Sequence, residues 1–163
     1  GNSARLMRAM PNTPASIGAG ITALYCSTAV TGGQKKLAVM LLKAFGDVVH
    51  IEDELMMDAV TALSGSGPAY VFLLAEVMAD AGRRLGLPED VAQKLAHQTV
   101  SGSGALLAAE TLPASTLREN VTSEGGTTFA ALSVLMARDG MADLFMRALK
   151  AAAMRAKELD NSR

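Results

Sequence analysis

The chain has 163 residues, half of them hydrophobic, and its 15 basic and 16 acidic side chains leave a net charge of -1. That length makes one average domain, or one domain and part of another. The balanced charge, with no run of either sign, excludes the electrostatic footprint of a nucleic-acid binder.

Aromatic residues make up only 4%, Trp is absent and Met numbers ten, with a mean hydropathy of +0.25. Such a composition fills the core of packed helices better than that of a β-sandwich. So much apolar surface on so short a chain calls for an oligomer to cover it. The longest uncharged apolar run, Ala69 to Ala75, falls far short of the ~20 residues of a membrane span, so no membrane partner is expected. Cys26 stands alone, which rules out an internal disulfide or a cysteine metal cluster and suits a reducing cytoplasm. No His or carboxylate spacing suggests a metal. No signal peptide is visible, and a first residue of Gly1 leaves room for an upstream portion.

Up to Ile51, short β-type runs alternate with turns: Arg5 to Met10, Ile21 to Cys26, and Asp47 to Ile51. Between the second and third, Thr31 to Phe45 sets Leu37, Met40, Leu41 and Ala44 at helical spacing, with Gly46 as a stop. Strand, strand, helix, strand in residues 1–52 cannot bury both faces of a sheet, and reads as the closing part of an α/β domain that begins upstream. From residue 53 to residue 163 every segment reads helical.

Asp53 to Leu63 forms the first helix. Ser64-Gly65-Ser66-Gly67 interrupts it, and Pro68 opens a second that runs through Val71, Leu74, Val77, Met78 and Ala81 to Gly86. Pro88 opens a third, ending near Glu110, and Thr116-x-x-Glu119 reads as a capping box before a short helix. Phe129 to Ala137 and Met141 to Leu159 complete the series, split at Gly140, with the last polar residues frayed.

Few stretches carry chemistry. Gly65 to Tyr70, GSGPAY, begins like a dinucleotide loop, but Tyr70 replaces its last Gly, Pro68 lacks an N–H, and a helix precedes it. A tight helix–helix corner is the favoured reading, with a pocket wall as the other. His50 and His97 have no partner at nucleophile–base spacing, and His97 reads as a hydrogen-bonded structural residue. Glu110 reads as a solvated helix end in preference to a pocket carboxylate. The loop Asn120 to Thr128 is richer. Thr122, Ser123, Thr127 and Thr128 surround Gly125-Gly126 just before a helix, so hydroxyls and backbone N–H groups converge at a positive dipole end. An ordinary N-cap needs only one of them. With no Lys adjoining, a small carboxylate fits better than a triphosphate.

Four stretches together resemble one family, the pyrroline-5-carboxylate reductases: Arg8 to Pro14 (RAMPNTP), Ala62 to Tyr70 (ALSGSGPAY), Thr99 to Gly104, and Val121 to Leu132. They span nearly the whole chain in the family's order. The resemblance implies a C-terminal portion of such an enzyme, mainly α, in which a helical dimerisation domain follows the closing β-β-α-β segment of a Rossmann-type domain. About a hundred residues carrying the Gly-rich NAD(P) loop would precede it, so that this chain alone is expected to be inactive.

The same resemblance implies the chemistry. Ser123, Gly125, Gly126, Thr127 and Thr128 would hold the carboxylate of a cyclic imino acid, mainly through backbone N–H groups and the Ser123 hydroxyl. The catalytic Thr128 hydroxyl would reach the ring nitrogen. Met10, Pro11, Asn12 and Thr13 would lie against the nicotinamide and ribose of NADPH or NADH, on a loop stiffened by Pro11 and Pro14 at a strand end, where α/β sheets place their ligands. A homodimer, or an assembly of dimers, would be the working form. Two residues depart from the family's pattern: Glu124 stands where Pro is common, and Met136 where an acidic or amide residue is usual. The rival reading is a non-enzymatic helical dimerisation module with a small-carboxylate pocket.

Overall fold

The computed structural model describes residues 4–161, so Ser162 and Arg163, expected to fray, lie outside the described residues. The chain divides into two compact units, residues 4–69 with 147–161, and residues 70–146.

The first unit holds a three-stranded sheet of β1 (Met7–Met10), β2 (Gly20–Cys26) and β3 (Gly46–Ile51), in that order. β1 pairs antiparallel with β2, setting Met10 opposite Ala23; β2 pairs parallel with β3, setting Gly20 opposite Gly46. A parallel pair needs a crossover, and α1 (Gly32–Leu42) supplies it. Its start is fixed by a reciprocal cap. The Thr31 hydroxyl oxygen accepts from the Gln34 N–H at 3.3 Å while the Gln34 side-chain oxygen accepts from the Thr31 N–H at 3.0 Å.

Gly46 turns the chain into β3 with φ +138, and a Cβ there would run into the Gly20 carbonyl group. Only glycine fits where those two backbones meet. The core of this unit is small: its buried hydrophobic residues, among those described, are Ala23 and Leu24 on β2 and Met57 and Ala62 in the segment that follows the sheet.

That segment departs from the expected corner. A 3-10 turn at Glu54–Met56 leads into α2 (Met57–Val60), then a π turn at Thr61–Gly65, then α3 (Gly67–Arg84). The Ser66 N–H donates to the Thr61 carbonyl at 2.8 Å, five residues back. The Thr61 and Ser64 hydroxyls donate to the Met57 and Val60 carbonyls at 2.8 and 3.1 Å. Pro68 falls in the first turn of α3, where no N–H is needed. The widened turn is Thr61–Gly65, and after Ser66 the chain continues into α3 without the expected corner.

One consequence corrects the expectation drawn from Ala69 to Ala75. The helical stretch Glu54–Arg84, 31 residues, is long and apolar enough by length and composition to cross a membrane. In the sequence Gly65 to Pro68 reads as a break, which shortens the apparent run to Ala69 to Ala75. A core or interface helix of a water-soluble protein meets the same criterion.

In the second unit, α3 ends in a glycine stop: Gly86 has φ +101, and the Leu87 N–H donates to the Gly82 carbonyl at 3.1 Å. The Arg83 hydrogen bond, with Arg84 adding its charge, holds the Asp80 carboxyl below its usual value in this last turn. α4 (Glu89–Ala109) returns after Pro88, and α3 and α4 approach at Gly82, where a Cβ would meet Leu87 at 3.3 Å and Ala92 at 3.4 Å. α5 (Ala114–Asn120) starts directly behind Pro113, whose φ of -57 and ψ of 145 set the entry. Thr116 and Glu119 thus lie inside α5 and form no capping box. α6 (Thr127–Leu135) and α7 (Met141–Asn161) follow, separated at Gly140 as expected.

The hydrophobic residues buried in this unit, among those described, are Ala92 and Ala96. Phe72, Val77 and Leu95 remain 67%, 55% and 54% exposed.

Replacing Gly46 with Ala should cost more than ~2 kcal/mol, since it adds backbone strain to a backbone collision. Gly33→Ala, whose Cβ would enter open space in α1, should be neutral or stabilising. Urea unfolding of both variants checks the pair, and equal stability would contradict the close approach of β2 and β3.

Candidate functional site

The loop between α5 and α6 is built by three local rules. At its start, the Thr122 hydroxyl donates to the Arg118 carbonyl at 2.6 Å and the Thr122 N–H to the Glu119 carbonyl at 2.9 Å, which closes α5. Ser123 to Gly126 then make a tight turn in which the Gly126 N–H donates to the Ser123 carbonyl at 3.0 Å. Gly125, its third residue, occupies the left-handed region at φ +69, which glycine adopts without steric cost.

Gly126 is needed for another reason. A Cβ on it would collide with the Ser123 hydroxyl oxygen and stand 3.1 Å from the Ser123 carbonyl oxygen. Its bare Cα lets the Ser123 hydroxyl lie against the start of α6. Gly126 is also the N-cap, extended at φ -78 and ψ 174, with no side chain to cap the helix.

The first-turn N–H groups of Thr127, Thr128 and Phe129 therefore find no acceptor among the described residues. The hydroxyls of Ser123, Thr127 and Thr128 are likewise without a partner there, whereas that of Thr122 is engaged by its own helix. Convergent N–H groups, a positive helix end and three available hydroxyls make a seat for a small anion. Glu124 is exposed, as are Ser123, Gly125 and Thr127, while Thr128 is half-buried. Beside this turn, α5 and α6 enclose an open groove of about 460 Å³ between Arg118, Glu119 and Thr122 on one side and Phe129, Leu132 and Met136 on the other. Met136 thus adds apolar surface to a groove wall.

The second candidate group belongs to the first unit. Met10 ends β1, and the Asn12 side-chain oxygen accepts from the Ile21 N–H at 2.9 Å, tying the loop to β2. Because that oxygen faces β2, Asn12 makes no side-chain cap to the 3-10 turn Thr13–Ile17 that follows it. Met10 and Asn12 are half-buried; Pro11 and Thr13 are exposed. The strand-end argument needs correcting. β1 runs opposite to β2 and β3, so this loop lies beside their amino ends, and the carboxyl-end rule for ligands applies to β1 alone.

Residues Met10 to Thr13 and Ser123 to Thr128 are thus each assembled locally, in different units. His97 is exposed on α4 with no hydrogen-bond partner among the described residues, contrary to its structural reading. Glu110 is exposed at the end of α4, and His50 is exposed on β3. No group of three His, Cys, Asp or Glu placed to hold a metal occurs among the described residues.

Two features escaped the sequence reading. The Thr31–Gln34 cap has a local signature, T-x-x-Q. Arg8 has none: it joins Glu54 at 3.5 Å and Asp160 at 3.0 Å, the latter 152 residues away.

Residues 54–159 match the family model described as pyrroline-5-carboxylate reductase dimerisation. The chain belongs to this family. The pyrroline-5-carboxylate reductase of Synechocystis sp. is 45% identical over 154 residues, which is 94% of this chain and 57% of that protein. That of Arabidopsis thaliana is 42% identical over 158 residues, 97% of this chain and 56% of it. Among solved structures, a pyrroline-5-carboxylate reductase from Coxiella burnetii superposes with a TM-score of 0.90 at 43% identity, over 98% of this chain and 58% of that one. The Plasmodium falciparum pyrroline carboxylate reductase with NADP bound gives 0.82 at 32% identity, over 97% and 60%. The chain spans somewhat more than half the length of each.

Asn12→Ala should lower stability by about 1 kcal/mol through loss of the bond to Ile21, and Asn12→Asp, which keeps the acceptor, by less than half of that. Urea unfolding compares them. Equal losses would mean that the Asn12 oxygen does not tie the loop to β2.

Proposed function

We propose that this chain is the C-terminal portion of an NAD(P)H-dependent pyrroline-5-carboxylate reductase. The complete enzyme reduces 1-pyrroline-5-carboxylate to L-proline, the last step of proline biosynthesis, as a cytoplasmic homodimer or an assembly of dimers. In this reading residues 1–52 close the dinucleotide-binding domain and residues 53–163 form the helical dimerisation and substrate-binding domain. The observation that carries it is the first turn of α6, with three N–H groups lacking a partner among the described residues and Ser123 folded against it. The pyrroline-5-carboxylate reductase of Synechocystis sp., similar over 94% of this chain, supports the substrate class.

The substrate is a five-membered imine bearing one carboxylate. The N–H groups of Thr127, Thr128 and Phe129 donate to that carboxylate, and the Ser123 hydroxyl completes the seat. Each hydrogen bond to a charged group contributes about 1.5–3 kcal/mol. Held there, the ring presents its nitrogen to the Thr128 hydroxyl. That hydroxyl accepts from the protonated imine N–H and keeps the ring in one orientation.

The Met10 to Thr13 loop suits a nicotinamide nucleotide. The Asn12 side-chain nitrogen and the Thr13 hydroxyl have no partner among the described residues, so both are free to meet a ribose or carboxamide. Met10 and Pro11 add apolar surface for a planar ring. A bound NAD(P)H supplies the hydride that the imine carbon takes up. A protonated imine is already an electrophile, so the residues named need only position it and balance its charge.

In the complete enzyme, Thr128→Ala should lower kcat about ten- to a hundredfold with little change in KM for the imino acid. Thr128→Ser should restore most of it. Steady-state kinetics with NADPH measure both, and an unchanged kcat in Thr128→Ala would reduce Thr128 to a helix-start residue.

A further inference from the structure

Gly65 ends the π turn that precedes α3. A Cβ built on it would lie 2.5 Å from the Met10 methyl carbon, while the next atoms, Thr61 Cγ2 and Met10 Cγ, stand at 3.8 and 3.9 Å. Met10 alone occupies the space that a side chain would take. The backbone raises no objection to alanine, because Gly65 is not among the positive-φ glycines, and a helical position prefers alanine to glycine. The obstructing atom is the end of an unbranched side chain that can swing aside. The fold therefore accepts alanine at position 65, and what alanine displaces is the end of Met10. Gly67, in the same run, has nothing within 4 Å of its Cβ position, so the contact is particular to Gly65.

Met10 itself is poorly placed to hold its own conformation. Its backbone is set by pairing opposite Ala23, but a thioether side chain has three free torsions. The bare Cα of Gly65 offers the hollow into which its methyl group fits. We infer that Gly65 is a positioning residue for the nicotinamide cofactor: it seats the Met10 side chain, and the seated side chain forms the apolar wall of the nicotinamide subsite. This rests on the function proposed above, which sets Met10 to Thr13 against the cofactor.

The test is a double-mutant cycle in the complete enzyme with Gly65→Ala, Met10→Ala and both together. Three quantities are read: the thermal midpoint, the Kd for NADPH from nucleotide fluorescence without imino acid, and the ¹³C resonance of the Met10 ε-methyl, identified by its loss in Met10→Ala. Gly65→Ala should leave the thermal midpoint unchanged or raised and shift the Met10 methyl resonance. It should weaken NADPH about fourfold, the burial of one methyl group (~0.8 kcal/mol) converted at ~1.4 kcal/mol per tenfold. In the Met10→Ala background it should change the Kd no further.

An unmoved methyl resonance, an unchanged Kd, or the same weakening in both backgrounds would overturn the inference. A wild-type enzyme that binds no NADPH would instead overturn the function proposed and the cofactor role with it, while the methyl shift would still decide whether Gly65 seats Met10.

Discussion

The chain makes more apolar helix surface than it can cover. In residues 70–146 the buried hydrophobic side chains, among those described, are two alanines, whereas Phe72, Val77 and Leu95 stand mostly in water. Isolated exposed leucines are ordinary on a protein surface; whole helices of this kind are not. Covering the exposed part of each such side chain contributes on the order of 1 kcal/mol, and several of them together equal the whole stability of a typical domain. The family that residues 54–159 match is described by dimerisation, and under the function proposed a second copy of the chain covers these helices. Glu54–Arg84 has the length and composition of a membrane span, and a helix covered by another protein meets the same demand for apolar surface as one covered by lipid.

Against that helical background the chemistry is local and cheap to build. Two adjacent glycines at the start of α6 do different jobs. Gly125 permits the left-handed turn, and Gly126 clears room for the Ser123 hydroxyl. Neither adds a catalytic group. They arrange backbone N–H groups that every residue carries, so the proposed seat draws on the backbone and hydroxyls and not on a titratable side chain. The Met10 to Thr13 loop follows the same economy, with one amide oxygen pinning it to β2 and one glycine receiving its methionine.

Legibility in the sequence followed the range of the forces involved. The alternation of strand and helix up to Ile51, the long helices after it, and the stops at Gly86 and Gly140 depend on residues a few places apart, and the periodicity and punctuation carry them. The α6 loop was legible because hydroxyls and glycines concentrate in nine residues. The failures are also physical. Thr116-x-x-Glu119 has the pattern of a capping box, but Pro113 starts α5 earlier and takes both residues inside it. Gly65 to Pro68 has the composition of a corner, yet hydroxyl-to-carbonyl bonds from Thr61 and Ser64 let the helix widen and continue. His97, on a mixed helix with no partner at nucleophile–base spacing, reads as structural, yet it lies on the exposed face of α4. The Arg8–Asp160 pair and the Met10–Gly65 contact join distant parts of the chain, where no local pattern speaks.

The claim on which the rest depends, that the helical surface is completed by another copy of the chain, is tested most directly by urea unfolding of the complete protein over a hundredfold range of protomer concentration. If folding and association are one event, apparent stability must rise with concentration by about 2.7 kcal/mol per dimer across that range, and the unfolding midpoint must move with it. A midpoint that stays fixed, with a folded monomer at the lowest concentration, would contradict the account.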